Sequence, residues 1–189
     1  MSEQPKALVL LATGAEEMEA VISIDVLRRG GIDVTVAGLD GRDPVRCSRG
    51  VVITPDMALD DVDGEFDVLV LPGGAEGAKR LSESGRVGDL LRAQERADRW
   101  VAAICAAPIA LPSHGVFRGR SMTSHPSVRS LLVDWGEYSE HPVEADGNLI
   151  TSRGPGTAFA FALRIVGALT DAKRMAEVRA PMMFPGQVS

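Results

Sequence analysis

The stretch ALVLLATGAEEMEAVISIDVLRRGGIDVTVA, from Ala7 to Ala37, decides the fold class. Ala7–Ala12 is nearly all apolar, as a strand covered on both faces must be. Glu16–Arg29 follows with Met18, Val21, Ile22, Asp25, Val26 and Arg29 on helical spacings, and Gly30–Gly31 gives it a C-terminal stop. Ile32–Ala37 is β-branched and strand-like again. Apolar strands alternating with helices argue for a parallel sheet between helical layers.

The alternation continues along the chain. Phe66–Leu71 reads as a buried strand cut off by Pro72-Gly73-Gly74, and Val87–Ala97 as a helix. Trp100–Cys105 is the next strand, followed by a small-residue turn and a short helix near Pro108–Leu111. Asn148–Ser152 is a late strand, and Gly154-Pro155-Gly156 opens an apolar helix to about Leu169, with Pro155 suited to its first turn. Cys47–Thr54 and Glu137–Val143 offer hairpin or edge strands. No repeat, low-complexity tract or linker interrupts the pattern. The expectation is one α/β domain over residues 1–189: doubly wound, mostly parallel, with helices on both faces. Sites in such sheets form at the carboxyl ends of strands.

Composition narrows the function classes. At 189 residues and 45% hydrophobic, the chain can bury roughly 70% of its unfolded surface and needs neither disulfide nor metal to fold. The net charge of −6 is spread among interspersed charges. The densest basic spots, Arg28–Arg29 and Lys79–Arg80, read as solvated helix faces, so neither nucleic acid nor membrane is expected as a partner. Cys47 and Cys105 belong to no CxxC pair or Cys/His cluster, which argues against structural zinc and fits a reducing, cytoplasmic setting. No cofactor is called for. Ala7–Ala12 is too short, and too closely followed by Glu16 and Glu17, for a signal peptide, and no apolar stretch has transmembrane length.

Three strand ends carry unusual residues. Cys105 stands at a strand-to-helix junction among Ala102, Ala103, Ala106 and Ala107. Small neighbours permit a sharp turn that exposes a nucleophile, and a following helix N-terminus favours thiolate. Cysteine is equally at home in a core, so spacing leaves both readings open. Glu19, early in the first helix, is placed to hydrogen-bond a thiol, and burial would keep it protonated; a solvated first-turn acid is the other reading, and it fits Glu16 and Glu17 well. Gly73 and Gly74, with the N–H of Ala106, can form an oxyanion hole or an ordinary turn. His125, in Thr123-Ser124-His125-Pro126, is a candidate acid/base partner or a plain loop histidine like His114 and His141.

The chain resembles the ThiJ/PfpI superfamily, and within it the parkinsonism-associated deglycase branch, from about Lys6 to about Met183. Matching stretches are Gly14-Ala15-Glu16-Glu17-Met18-Glu19, Val34–Leu39, Val68–Gly74, Ala102-Ala103-Ile104-Cys105-Ala106 and Thr151–Thr157. The resemblance implies a flavodoxin-like homodimer without cofactor. It makes Cys105 the nucleophile, oxidisable to the sulfinic acid, Glu19 the carboxyl bonded to it and His125 a nearby base. It places N–H groups of Gly74 and Ala106 around the reacting oxygen, and Arg49 and a second subunit's Arg29 at the pocket mouth. Ala107, Trp100 and Thr54 depart from the pattern, where relatives carry a glycine, a small residue and a second cysteine.

Two functions follow as expectations. One is a glutathione-independent glyoxalase or protein deglycase, acting on methylglyoxal, glyoxal or their early adducts. The other is a redox sensor or redox-regulated chaperone working through Cys105 sulfinate. A cytoplasmic location, with nuclear or mitochondrial pools, goes with the resemblance. A PfpI-like protease is disfavoured because Glu177–Phe184 resembles the extra helix said to block access in this branch.

Overall fold

The computed structural model describes residues 4–185. In chain order the strands are β1 (Lys6–Leu11), β2 (Asp33–Gly38), β3 (Val45–Arg46), β4 (Val52–Ile53), β5 (Met57–Ala58), β6 (Val68–Leu71), β7 (Trp100–Ile104), β8 (Ser121–Met122), β9 (Glu137–Tyr138), β10 (Val143–Asp146) and β11 (Leu149–Ser152). The α-helices are α1 (Glu17–Arg29), α2 (Ala75–Glu83), α3 (Gly85–Arg96), α4 (Ala110–His114), α5 (Ala158–Leu169) and α6 (Ala172–Arg179).

The main sheet runs β10-β11-β7-β6-β1-β2-β5, parallel throughout except for the antiparallel edge strand β10. Its five inner strands, β2-β1-β6-β7-β11, have the flavodoxin-type order 2-1-3-4-5 when counted by their appearance. Val9 of β1 lies opposite Val36 of β2 and Val70 of β6, and Val70 lies opposite Ala102 of β7. Side chains alternate across this plane. Ala7, Val9 and Leu11 join Val26 and Leu27 of α1 and Phe161 and Ile165 of α5. Leu8 and Leu10 join Val87 and Leu91 of α3 and Leu111 of α4. The doubly wound architecture expected from the sequence is therefore present.

Local differences have local causes. The helix α2 is absent from the sequence reading. It follows the Pro72-Gly73-Gly74 turn at once, contains Gly77, and buries only Ala78 and Leu81 among larger residues, too little for a periodic signal. The helix expected over 87–97 starts earlier, at Gly85, because Ser84 caps it by accepting from Val87 N–H at 3.3 Å. The β7 strand ends at Ile104, one residue short of Cys105. The C-terminal helix expected over 177–184 lies earlier, at Ala172–Arg179, where Asp171 caps it and a 3-10 turn follows at Ala180–Met182. The β9 strand pairs with β8 outside the main sheet.

Candidate active site

The carboxyl ends of β1, β6 and β7 meet where the strand order reverses, the usual place for a site in an open α/β sheet. The α1 helix starts directly after β1, with Glu16 as N-cap accepting from Glu19 N–H at 2.9 Å. This start turns Glu19 inward. It is fully buried, and its Oε2 accepts from Gly73 N–H at 2.8 Å. Glycine is needed at position 73 because a Cβ would stand 2.6 Å from Cys105 Cβ, 2.7 Å from Glu19 Oε2 and 2.8 Å from the Ile104 carbonyl. Gly74 has φ +85°, and a Cβ there would meet the Gly14 carbonyl at 2.3 Å.

Cys105 adopts φ +64°, in the left-handed region. That backbone costs a non-glycine residue ~1–2 kcal/mol. It is held by two bonds, from Cys105 N–H to the Ser152 carbonyl at 2.9 Å and from His125 N–H to the Cys105 carbonyl at 2.8 Å. Backbone N–H groups of Gly74 and Ala106 point at the sulfur, and the Glu19 carboxyl hydrogen-bonds the thiol. Gly73, Gly74, Ala106, Glu19 and Cys105 thus form one constellation.

In one respect the structure corrects the sequence reading. The turn does not expose the sulfur: Cys105 is only 9% exposed. Burial, with the Glu19 charge second, pushes its thiol up to about 12, against the two N–H donors. Burial likewise pushes Glu19 up to about 7, although the bonds from Gly73 and Cys105 pull it down. The two groups titrate as a pair, and neutral pH removes at most one proton from it. The short helix expected after Cys105 is present, as a 3-10 turn (Ala107–Ile109) running into the five-residue α4, and the second N–H donor, Gly74, is the N-cap of α2.

The remaining candidates sit further out. The His125 backbone joins Cys105, but its exposed ring places Nδ1 2.7 Å from Ser127 Oγ, and among the described residues no hydrogen bond joins that ring to the sulfur. Arg49 is exposed, with its N–H donating to Glu17 Oε1 at 2.8 Å. Arg29 lies in the last turn of α1, paired with Asp25. Ten residues of helix separate it from Glu19, about 15 Å, so within one chain it does not line the site.

Glu17 differs most from its reading as a solvated first-turn acid. It is 6% exposed and accepts from Ser48 Oγ and Arg49 N–H, both at 2.8 Å, and from Val51 N–H at 3.5 Å. Burial raises its carboxyl, but these bonds and its own N–H outweigh burial and hold it below the usual range. No sequence signal separates it from Glu16, because its partners come from a hairpin some thirty residues away. Among the described residues no His, Cys, Asp or Glu cluster is arranged to hold a metal ion, and no helix is long and apolar enough to cross a membrane.

Comparison with known proteins places this geometry. Residues 5–168 match the DJ-1/PfpI family. The chain is 53% identical over 183 residues to the Parkinson disease protein 7 homolog of Danio rerio, covering 95% of this chain and 97% of that one. It is 40% identical over 185 residues to a Caenorhabditis elegans protein named glutathione-independent glyoxalase DJR-1.2, covering 96% and 98%. The crystal structure of Drosophila melanogaster DJ-1beta superposes with a TM-score of 0.95 at 52% identity, over 97% of this chain and all of that one.

Proposed function

The chain belongs to the DJ-1/PfpI family, and from that premise we propose that it is a glutathione-independent glyoxalase whose nucleophile is Cys105. The observation that carries this reading is the Glu19 carboxyl hydrogen-bonded to the Cys105 thiol, beneath the N–H groups of Gly74 and Ala106. Cys105 sulfur attacks the aldehyde carbon of methylglyoxal, and the oxygen takes a proton, giving a hemithioacetal. A base removes the proton on that carbon, and the enediolate is reprotonated at the neighbouring carbon, giving a lactoyl thioester. Water then cleaves the thioester, releasing lactate and restoring the thiol. The sum is methylglyoxal plus water to lactate, with no net redox change and no cofactor. Glu19, pushed up to about 7, is matched to proton transfer at neutral pH. Gly74 and Ala106 N–H groups stabilise the anion that each step creates. His125, whose backbone N–H donates to the Cys105 carbonyl, is the second base in this reading. Early glycation adducts are hemithioacetals or hemiaminals of the same aldehyde carbon, which extends the reading to deglycase activity.

The test is lactate formation from methylglyoxal without glutathione, in wild type and Cys105→Ser. A serine variant that retained the wild-type rate would sink the assignment.

A second reading, a redox sensor, is favoured by one detail. Glu19 Oε1 is buried with no conventional hydrogen-bond partner, so its O–H can be given to an oxygen added to the sulfur. Mild peroxide should add two oxygens to Cys105 alone; scatter over Cys47 and the methionines would count against it.

A homodimer belongs to the same proposal. Met18 and Val21 on α1, and Val51 and Val52 on the β3–β4 hairpin, are each about half exposed. A second copy covering this face about a two-fold axis would run α1 antiparallel to itself and bring its Arg29 towards Glu19. A sizing run showing a monomer would overturn this part.

A further inference from the structure

Five hydrogen bonds fasten the β3–β4 turn to the start of α1. Gly14 N–H donates to the Arg46 carbonyl at 2.9 Å, and Ser48 N–H to the Ala15 carbonyl at 2.8 Å. The other three end on one side chain, Glu17, which takes Ser48 Oγ on Oε2 and the N–H groups of Arg49 and Val51 on Oε1. Glu17 and Glu19 stand two residues apart, so at 100° per residue they project to nearly opposite sides of α1. Glu19 faces the thiol; Glu17 faces the turn. The segment Glu17 holds carries Arg49 and leads into Val51 and Val52, which, like Met18 and Val21 of α1, are about half exposed. Hydrogen bonds to an ionised acceptor are about twice as strong as neutral ones, so this carboxylate is the main rivet of that segment.

We infer that Glu17 is a positioning residue: its carboxylate sets the Ser48–Val51 turn and so shapes the face on which a second copy of this chain docks. The inference rests on the homodimer reading above. Glu17 takes no part in the chemistry, because it turns away from the sulfur. Replacing the carboxylate by an amide removes the charge and leaves Arg49 and Val51 with a weaker shared acceptor. The turn then loosens while the Glu19–Cys105 pair stays in place.

The experiment measures the dimer dissociation constant by sedimentation and amide exchange residue by residue, in wild type, Glu17→Gln and Ser48→Ala. The expected result is a dissociation constant at least tenfold higher in Glu17→Gln and a few-fold higher in Ser48→Ala. Exchange at Arg49 and Val51 should rise at least tenfold, with the amides of β1 and β6 unchanged. Global loss of stability would raise exchange in β1 and β6 as well, and that pattern overturns the positioning role. A wild type that dimerises alongside an equally tight Glu17→Gln overturns this inference alone. A monomeric wild type overturns the dimer reading and this inference together. If Glu17→Gln fails to fold, Ser48→Ala decides: a dissociation constant equal to wild type counts against the proposal.

Discussion

The carboxyl of Glu19 and the thiol of Cys105 hydrogen-bond each other inside one desolvated space, and burial is the largest influence on both. Each group's charge then opposes ionisation of the other. With the carboxyl protonated and the sulfur ionised, the acid O–H and two backbone N–H groups surround the anion. With the proton on sulfur, Gly73 N–H still holds the carboxylate.

That coupling fixes the shape of a pH profile. Alkylation of Cys105 in wild type should rise only far into alkali, because burial and then the Glu19 charge hold the proton on sulfur. Glu19→Gln should move that rise to lower pH, since it removes the charge that opposes thiolate. Iodoacetamide kinetics from pH 5 to 12 measure this. A rise at the same pH in Glu19→Gln would exclude the pairing.

Stability should carry the same signature. The folded state holds the Glu19 proton more tightly than the unfolded chain, about 7 against 4.5. Its contribution is therefore complete below pH 4.5 and lost as pH rises through 7, a loss of about 3 kcal/mol. The stability difference between wild type and Glu19→Gln should move in favour of the glutamine by that amount from pH 4.5 to 8. Urea unfolding at several pH values reports it; a difference moving the other way would refute buried protonation.

Gly73→Ala should be severe at the site. The new methyl would meet Cys105 Cβ, Glu19 Oε2 and the Ile104 carbonyl, two of them on backbone or near-backbone atoms with little freedom to yield. We expect at least a hundredfold fall in Cys105 reactivity and a stability loss of ~1–3 kcal/mol from overpacking. Alkylation rate and thermal melting are the readouts.

Arg174 on α6 closes the end of α1 opposite the thiol, donating from Nε to the Gly30 carbonyl at 3.1 Å and from Nη2 to the Arg29 carbonyl at 3.0 Å. Arg174→Ala should lose ~1.5–3 kcal/mol, the range for hydrogen bonds involving a charged group, while Cys105 alkylation stays as in wild type. A lower melting temperature with unchanged thiol kinetics checks both halves.

Much of this was legible in the residues. The βαβ pattern of residues 7–37 announces a parallel sheet because strands buried on both faces must be apolar throughout. The motifs at Glu19, Gly73–Gly74 and Cys105 mark three strand ends that such a sheet brings together. What stayed hidden depends on distant partners. Cys105 looks exposable among its alanines, but Glu19 and Gly73 close over it from other elements. Glu17 looks like any first-turn acid until a hairpin some thirty residues away gives it three donors. The helix α2 gave no sign because its buried face is too small to imprint a period.

The sequence by itself determined the fold class and marked Glu19 and Cys105 as a candidate pair, since hydrophobic patterning and motif chemistry are local properties of the chain. Only the tertiary structure decided their ionisation and the job of each neighbouring acid. Burial and hydrogen-bond partners set a carboxyl's charge state, and both are assembled from residues far apart in the chain. Hence Glu19 holds its proton to about 7 while Glu17, two positions earlier on the same helix, stays ionised.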